Sequence, residues 1–275
     1  MKSAADSSRD ACSEPAHKKP RNAFTELMAA KPSSSPLRTT RQVRTDEPTN
    51  LRDPRNGLYA YVKDPKAYPK QVVRFNDDFV LIRDAWPKAI VHLLLLPRNP
   101  SKYVLHPHEA LKDPGFLALC RAEAEDCRKL AASELARQLQ QYSASQHKRT
   151  EAMLSEDPPT PDQLPPGRDY TADIRVGFHA HPSMNHLHLH IISRDMMSPS
   201  MKHPKHYNSF NTDFFLPLND FPFAEDDVRR TVAYQNVRIG KEQDLICWRC
   251  DKNFGRQFKK LKEHLDEEFT EWKSE

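Results

Sequence analysis

The chain has 275 residues, with 42 Lys and Arg against 38 Asp and Glu for a formal net charge of +4, 37% hydrophobic residues, 23 prolines and 6 glycines. That length holds one medium catalytic domain and a small module, while the surplus of proline and charge assigns part of it to tail or linker and roughly two thirds to packed structure. The longest apolar run, 90–96, is interrupted by His92, which excludes a membrane span, and five scattered cysteines with no secretory signal before them point to a reducing intracellular compartment.

Residues 1–50 are rich in Ser, Pro, Thr, Lys and Arg without periodicity and read as a disordered basic arm. Within it, Phe24, Leu27 and Met28 of the 22–28 segment suit a short helix docking in a partner's groove, or a chance cluster, and the basic 17–21 run suits a nuclear import signal. From 51 to 222 the pattern is that of a globular α+β domain. Strands are predicted at 79–82 and 89–96, and Leu117, Cys120, Ala124, Cys127, Ala131 and Leu135 recur at helical spacing within 115–141, which makes both cysteines core residues. The 143–169 segment reads as a proline-rich loop inserted before further strands at 174–179 and 186–192. The last module, 223–275, holds a paired-cysteine knuckle running into a helix, as in a small ββα-type zinc finger.

In 186–192 the residues alternate strictly, placing His186, His188 and His190 on one face of a strand and Leu187, Leu189 and Ile191 on the other. Three imidazoles side by side lose hydration and repel on protonation, a cost that calls for a ligand, a metal or a reaction. Two chemistries stay open. Alternate strand positions lie about 6–7 Å apart and could share a metal, although no His-Glu-x-x-His or acidic pair completes such a site. An imidazole fixed in one tautomer can instead attack phosphorus through its other nitrogen, splitting one displacement into two.

Near the carboxyl end, Cys247 and Cys250 are followed by His264 and, four residues on, Glu268. Those two share a helix face, so the four side chains can converge on one tetrahedral Zn2+ while Glu267 points away; water or Glu267 could replace Glu268. Phe254, Phe258 and Leu261 form a core too small to fold without metal. Positive charge gathers at Arg249, Lys252, Arg256, Lys259, Lys260 and Lys262 ahead of an acidic end, which suits phosphate contacts that hold a nucleic acid without reading its bases.

The run from His186 to Ile192 resembles the signature of the histidine triad (HIT) superfamily. The resemblance implies a HIT-like antiparallel sheet with flanking helices, with His188 as covalent nucleophile and His186 and His190 orienting it and stabilising charge. Residues 84–92 are similar to that family's nucleotide-binding strand, which implies that Asp84 holds ribose hydroxyls and His92 closes the phosphate site. The triad alone is shared by phosphoramidases, dinucleoside polyphosphate hydrolases and cap-scavenging enzymes. Its flanks, 177–184 and 198–212, resemble the aprataxin family over about 75–220. This further resemblance implies that His179 and Ser183 line the phosphate pocket, with Lys88, Lys202 and His206 near the adenylate or the DNA backbone. A carboxylate as fourth zinc ligand resembles the fungal members. The family resemblance also implies a wedge that stacks on the exposed base pair, with Tyr59 or Tyr61 as its candidates; Pro54 and Gly57 nearby disfavour a helix there, and a core role is the alternative.

The activity implied by the resemblance is DNA 5′-adenylate hydrolysis. AMP left on DNA ends by failed ligation would be removed through an adenylyl-His188 intermediate, restoring a 5′-phosphate, with one structural zinc and no catalytic metal. The expected partners are nicked or broken DNA bearing 5′-AMP, RNA-DNA junctions, AMP as product, and a repair protein at 22–28. The chain is expected to be a monomer in the nucleus, and also in the cytoplasm, without membrane contact. A general HIT nucleotide hydrolase or phosphoramidase and a non-catalytic nucleic-acid-binding adaptor are the alternatives.

Overall fold

The structure is a computed structural model describing residues 53–275; the arm, with its 17–21 and 22–28 segments, lies outside the described residues. Six strands, β1 (Val72–Phe75), β2 (Phe79–Arg83), β3 (His92–Pro97), β4 (Ile174–His179), β5 (Leu189–Ser193) and β6 (Phe215–Pro217), form one antiparallel sheet in the order β1-β2-β3-β5-β4-β6. Every residue of β3 is buried, which suits its near-continuous aliphatic sequence to the middle of a sheet covered on both faces. Short helices α1 (Tyr59–Lys63), α2 (Pro100–Tyr103) and α3 (Pro107–Ala110) precede the long α4 (Pro114–Leu139). Asp113 starts α4 by accepting from the Gly115 and Phe116 amides at 2.9 and 3.2 Å, with Pro114 supplying the preset first turn.

Helix α4 closes one face of the sheet. Its stripe of Leu117, Cys120, Ala124, Cys127, Ala131 and Leu135 packs in one cluster with Leu93, Leu95, Phe178, Leu187, Leu189 and Ile191. Burial pushes the Cys127 thiol up to about 11 and the Cys120 thiol up to about 12, so both are inert at neutral pH. The opposite face carries two separate clusters. One joins Tyr59 and Val62 of α1 to Ile82, Leu94, Leu96 and Tyr103. The other joins Ile192 and Phe215 to Tyr207 and Phe210 of α6 (Pro204–Asn211) and to Leu245, Leu261 and Leu265 of the carboxyl-terminal module.

The histidine-bearing strand is shorter than the alternation predicts. It begins at Leu189, and the Leu187 amide donates instead to the Tyr103 carbonyl at 2.7 Å. Continuing the β3–β5 register would set Leu187 against Pro97, which has no N–H to extend the ladder. The side-chain alternation nonetheless persists through 186–191, with the leucines in the α4 cluster. The 143–169 segment also departs from a simple loop, since it opens with α5 (Ala144–Met153), whose Ser143 cap accepts from the Gln146 amide at 3.2 Å.

After α7 (Val232–Arg238), the knuckle at 245–255 carries one isolated bridge, Ile246 to Asn253, in place of two full strands; the Leu245 and Cys247 amides donate to the Gly255 and Lys252 carbonyls at 2.8 and 2.9 Å, and the chain leads into α8 (Phe258–Trp272). Three contacts fasten it to the sheet domain. The buried Tyr207 hydroxyl donates to the Ile246 carbonyl at 2.8 Å and accepts from the Trp248 amide at 2.9 Å. Arg168 lies over the Trp272 ring at 4.4 Å, and the Trp272 indole donates to Asp173 at 3.2 Å. Ser143 and Ser145 hydroxyls donate to the Glu275 carbonyl at 3.1 and 2.9 Å. No helix among the described residues is long and apolar enough to cross a membrane.

Replacing Tyr207 by Phe keeps the ring and leaves the Ile246 carbonyl and Trp248 amide without their partner. The expected cost is about 1–3 kcal/mol of stability in denaturant titration, with faster metal release from the knuckle; unchanged values for both would mean that the hydroxyl does not hold the module.

Candidate active site and metal centre

The histidines sit on the sheet face opposite α4, in the seam between the two smaller clusters. His186 faces Tyr59 and Tyr103 with ring centroids 5.4 and 5.3 Å apart, whereas His92, His179 and His190 lie against Phe210 at 5.4, 4.6 and 5.3 Å. The aromatic walls desolvate the cluster. His188 lies between these groups, 5.0 Å from His190 by ring centroid.

The hydrogen bonds define the tautomers. His188 Nδ1 stands 2.7 Å from the His186 carbonyl, and because a carbonyl can only accept, Nδ1 carries the proton and Nε2 the lone pair. His92 Nδ1 accepts from the Lys88 amide at 3.1 Å, which puts its proton on Nε2, facing His190 Nδ1 at 3.0 Å. His190 is then protonated on Nε2, a buried atom with no hydrogen-bond partner among the described residues. One imidazole thus offers a lone pair and its neighbour a donor. The His186 ring makes no hydrogen bond among the described residues, so it orients His188 through its main-chain carbonyl rather than its imidazole.

Asp84 Oδ2 lies 3.5 Å from His92 Nε2, and Asp84 Oδ1 accepts from the Trp86 amide at 2.7 Å, which organises the turn carrying Lys88. Asp84, His92 and His190 offer ligand atoms within 4.8 Å of one another, a grouping that could hold an ion. The His92–His190 hydrogen bond accounts for that proximity without one. Lys88 is drawn below the usual lysine range by burial, against the pull of Asp84 and with a push from Lys202. The Lys202 amide donates to His206 Nδ1 at 3.2 Å, and burial and the Lys88 charge bring His206 down to about 4. Ser183 belongs to the loop between β4 and β5; its carbonyl accepts from Arg55 Nε at 3.3 Å, and the Asn185 amide donates to the Arg55 carbonyl at 2.9 Å. The structure therefore brings together His92, His179, His186, His188, His190, Asp84 and Lys88, with Lys202 and His206 alongside and Ser183 on the adjoining loop.

Tyr59 is not placed to stack on an external base pair. It is buried among Tyr103, His186 and its own cluster, because Pro54 and Gly57 bracket one tight turn that delivers α1 directly onto the sheet. Tyr61 is half-buried and meets Tyr68 edge-on at 4.9 Å. The exposed aromatic at this site is Trp86, 66% accessible beside Asp84 and Lys88, which the sequence reading passed over because a tryptophan in a turn carries no periodic signal. Asp195 was also missed. Its buried carboxylate accepts from the Ile90 and Met197 amides at 2.9 and 2.8 Å and from the Ser193 hydroxyl, tying the start of β3 to the end of β5.

In the carboxyl-terminal module, Cys247, Cys250, His264 and Glu268 offer four ligand atoms within 4.8 Å of one another. His264 Nε2 is 3.1 Å from Cys250 Sγ and 3.1 Å from Glu268 Oε1, the crowding that one tetrahedral ion would require. Glu267 is excluded from this set, being exposed and facing the other nitrogen of His264 at 3.9 Å. Arg249 is not free for phosphate. It pairs with Glu268, with Glu271 at 3.2 Å and with Glu275 at 2.6 Å, holding the Glu268 carboxyl below the usual range. Arg256 pairs with Glu242 at 2.9 Å and Lys259 with Glu263 at 3.8 Å, both well exposed, and the Lys252 ammonium sits over the Phe254 ring at 5.3 Å.

Residues 66–197 match the HIT domain family and residues 211–271 match the C2HE / C2H2 / C2HC zinc-binding finger family, so the chain is a HIT-domain protein with a carboxyl-terminal zinc-binding finger. Among curated relatives, the aprataxin-like protein of Schizosaccharomyces pombe is 37% identical over 79% of this chain and 82% of its own length. The aprataxin-like protein of Saccharomyces cerevisiae is 34% identical over 78% of this chain and 96% of its own. A crystal structure of the aprataxin ortholog Hnt3 in complex with DNA superposes with a TM-score of 0.62 at 35% identity, covering 79% of this chain and 96% of that one. The structure of Hnt3 in complex with DNA and guanosine gives 0.61 at 34% identity, with the same coverage of both chains. The chain belongs to the aprataxin-like proteins.

Burial brings His92 and His186 of the cluster down from 6.5 to about 4, as it does His108 outside it. The unfolded chain binds these protons near 6.5 and the folded chain only near 4. Stability is therefore expected to be full above about pH 6.5 and to decline through the window down to about pH 4, as read by denaturant midpoints at stepped pH. A flat midpoint across that window would contradict neutral burial of these rings.

Proposed function

We propose that this chain is a DNA-repair hydrolase that releases AMP from 5′-adenylated DNA ends with His188 as the nucleophile. The observation that carries the chemistry is the His188 tautomer, with Nδ1–H given to the His186 carbonyl and the Nε2 lone pair left for phosphorus. Membership in the aprataxin-like proteins and the DNA complexes of Hnt3 support DNA as the polymer that bears the adenylate.

In this reading His188 Nε2 forms a bond to the AMP phosphorus while the phosphorus bond to the bridging oxygen breaks, and DNA leaves with its 5′-phosphate. Nδ1 keeps its proton throughout, so the His186 carbonyl supports the positive charge that develops on the ring. Water then attacks the same phosphorus, the P–N bond breaks, AMP leaves, and the proton released by water passes to solvent. His190 Nε2–H supplies a donor to a phosphoryl oxygen, and Asp84 binds the ribose. His92, His179, Ser183, Lys88, Lys202 and His206 surround the phosphates. Burial holds His188 below its ordinary 6.5, so the attacking nitrogen is unprotonated at neutral pH.

The catalytic unit spans 51–222 and the finger unit 223–275. The finger's zinc, on Cys247, Cys250, His264 and Glu268, is structural, and no step of this scheme uses a metal. The chain acts as a monomer in the nucleus, with Lys252, Arg256 and Lys259 approaching the DNA backbone. The 22–28 segment engages a repair protein.

His188→Ala is expected to reduce AMP release from adenylated nicked DNA by more than about 10³-fold. Mass spectrometry of the wild type stopped early in turnover should place one AMP on His188; an adduct elsewhere, or full activity in the variant, would reject the mechanism. Chelation, or Cys250→Ser, is expected to remove about one zinc per chain, melt α8 and weaken DNA binding while hydrolysis of small adenylates persists. Equal loss of both activities would make the metal more than a brace for DNA.

A further inference from the structure

A second concentration of cationic chemistry lies away from the histidines, in a cleft that runs along the outer end of β4 between the sheet domain and the knuckle. Two adjoining lobes share Arg175, Arg194, Phe215 and Pro217; one continues to Trp248 and Asp251, the other to Arg121 and Arg128. In the β4–β5 register Arg175 stands opposite Ile192, while Gly177 stands opposite His190, so the cleft begins two residues further along the strand than the catalytic cluster. Ile192, Phe210 and Phe215 pack together between them.

The charges in this cleft are not compensated alike. Arg229 is neutralised by Asp220 and Asp227 at 2.8 and 2.7 Å, and Arg128 by Glu125 at 2.8 Å. Arg175 has no carboxylate partner among the described residues. Its guanidinium donates to the Phe210 carbonyl and lies over the Phe215 ring at 4.6 Å. The exposed Arg194 side chain has no hydrogen-bond or ion-pair partner among the described residues, and Arg121 donates only to the Phe221 and Asn219 carbonyls, at 2.7 and 3.4 Å. Asp213 and Asp251 line the far wall without reaching ion-pair distance of Arg175 or Arg194. Burial and the Arg194 charge bring Arg175 down to about 10, the signature of like charges held together in a partly dry place. Such an arrangement is costly unless an anion completes it.

We infer that Arg175 and Arg194 form a phosphate-binding site separate from the histidine cluster. Two guanidinium forks match phosphate oxygens in geometry as well as charge. The phosphate belongs either to the backbone of a nucleic-acid strand that follows the cleft or to a free nucleotide. The site does not depend on the chemistry at His188, and hydrolysis of a small adenylate serves as the control for an intact fold.

The test uses the zinc-loaded full chain and Arg194→Ala, with Arg194→Glu as the stronger variant, since this side chain is exposed. Binding of a fluorescent nicked duplex is measured at several KCl concentrations, and thermal midpoints are measured with added inorganic phosphate and with AMP. For a nucleic-acid strand, Arg194→Ala lowers duplex affinity by about three- to tenfold and reduces the slope of log affinity against log salt by about 1, with Arg194→Glu losing more and small-adenylate hydrolysis unchanged. For a free nucleotide, the duplex affinity holds while the stabilisation by phosphate or AMP falls in both variants to the part that the histidine site supplies. Duplex affinity, salt slope and phosphate response all equal to wild type would overturn the site. So would a response confined to an acidic peptide probe such as oligoglutamate. Should the chain bind no duplex at all, the DNA reading fails while the phosphate and AMP arm still decides this site.

Discussion

The central constraint is the polarity of the segment 186–191, where every second side chain is an imidazole and every other one an aliphatic group. Leu187, Leu189 and Ile191 must be buried, and the Cys120, Ala124, Cys127 stripe of α4 buries them. Once α4 occupies that face, the three histidines can only point to the other. There the cover is divided, and they lie in the seam between the α1 cluster and the α6 cluster. The site is a consequence of two-fold strand periodicity with one face closed.

Within the seam, chemistry is set by main-chain groups more than by the histidines' mutual contacts. A carbonyl at 186 and an amide at 88 assign the protons of His188 and His92, and His190 follows from His92. These main-chain positions are themselves braced. Asp195 holds the Ile90 amide, and the 53–57 turn holds the loop before His186 through Arg55 and Asn185. A site of neutral imidazoles walled by aromatic rings follows, suited to nucleophilic attack at neutral pH and sensitive to acid.

The carboxyl-terminal module is attached by a few specific contacts, with Tyr207 bonding to both sides of the knuckle and Arg168 covering Trp272. The 143–169 segment, which carries no readable chemistry of its own, acquires a role through these contacts, since its first serines and its last arginine both meet the end of α8. Ion pairing redistributes the module's apparent basicity. Arg249 is consumed by three carboxylates, while Arg175 and Arg194, which have no carboxylate partner among the described residues, belong to strand β4 and to the turn after β5.

The histidine alternation, the 3.6-residue stripe of α4 and the Cys-Cys-His-Glu spacing were legible because each is a periodic or near-neighbour pattern, imposed by strand, helix or metal geometry on residues close in the chain. From these the sequence by itself determined the α+β class, the facing of the three imidazoles, the core role of Cys120 and Cys127, and the grouping of four metal-ligating side chains. Contacts between distant segments leave no such trace. The burial of Tyr59, the 3.0 Å bond between His92 and His190, the capture of Arg249 and the pairing of Arg175 with Arg194 were decided only by the tertiary structure. Each depends on which side chain from elsewhere in the chain arrives to desolvate, neutralise or repel its partner, and local spacing does not encode that distance.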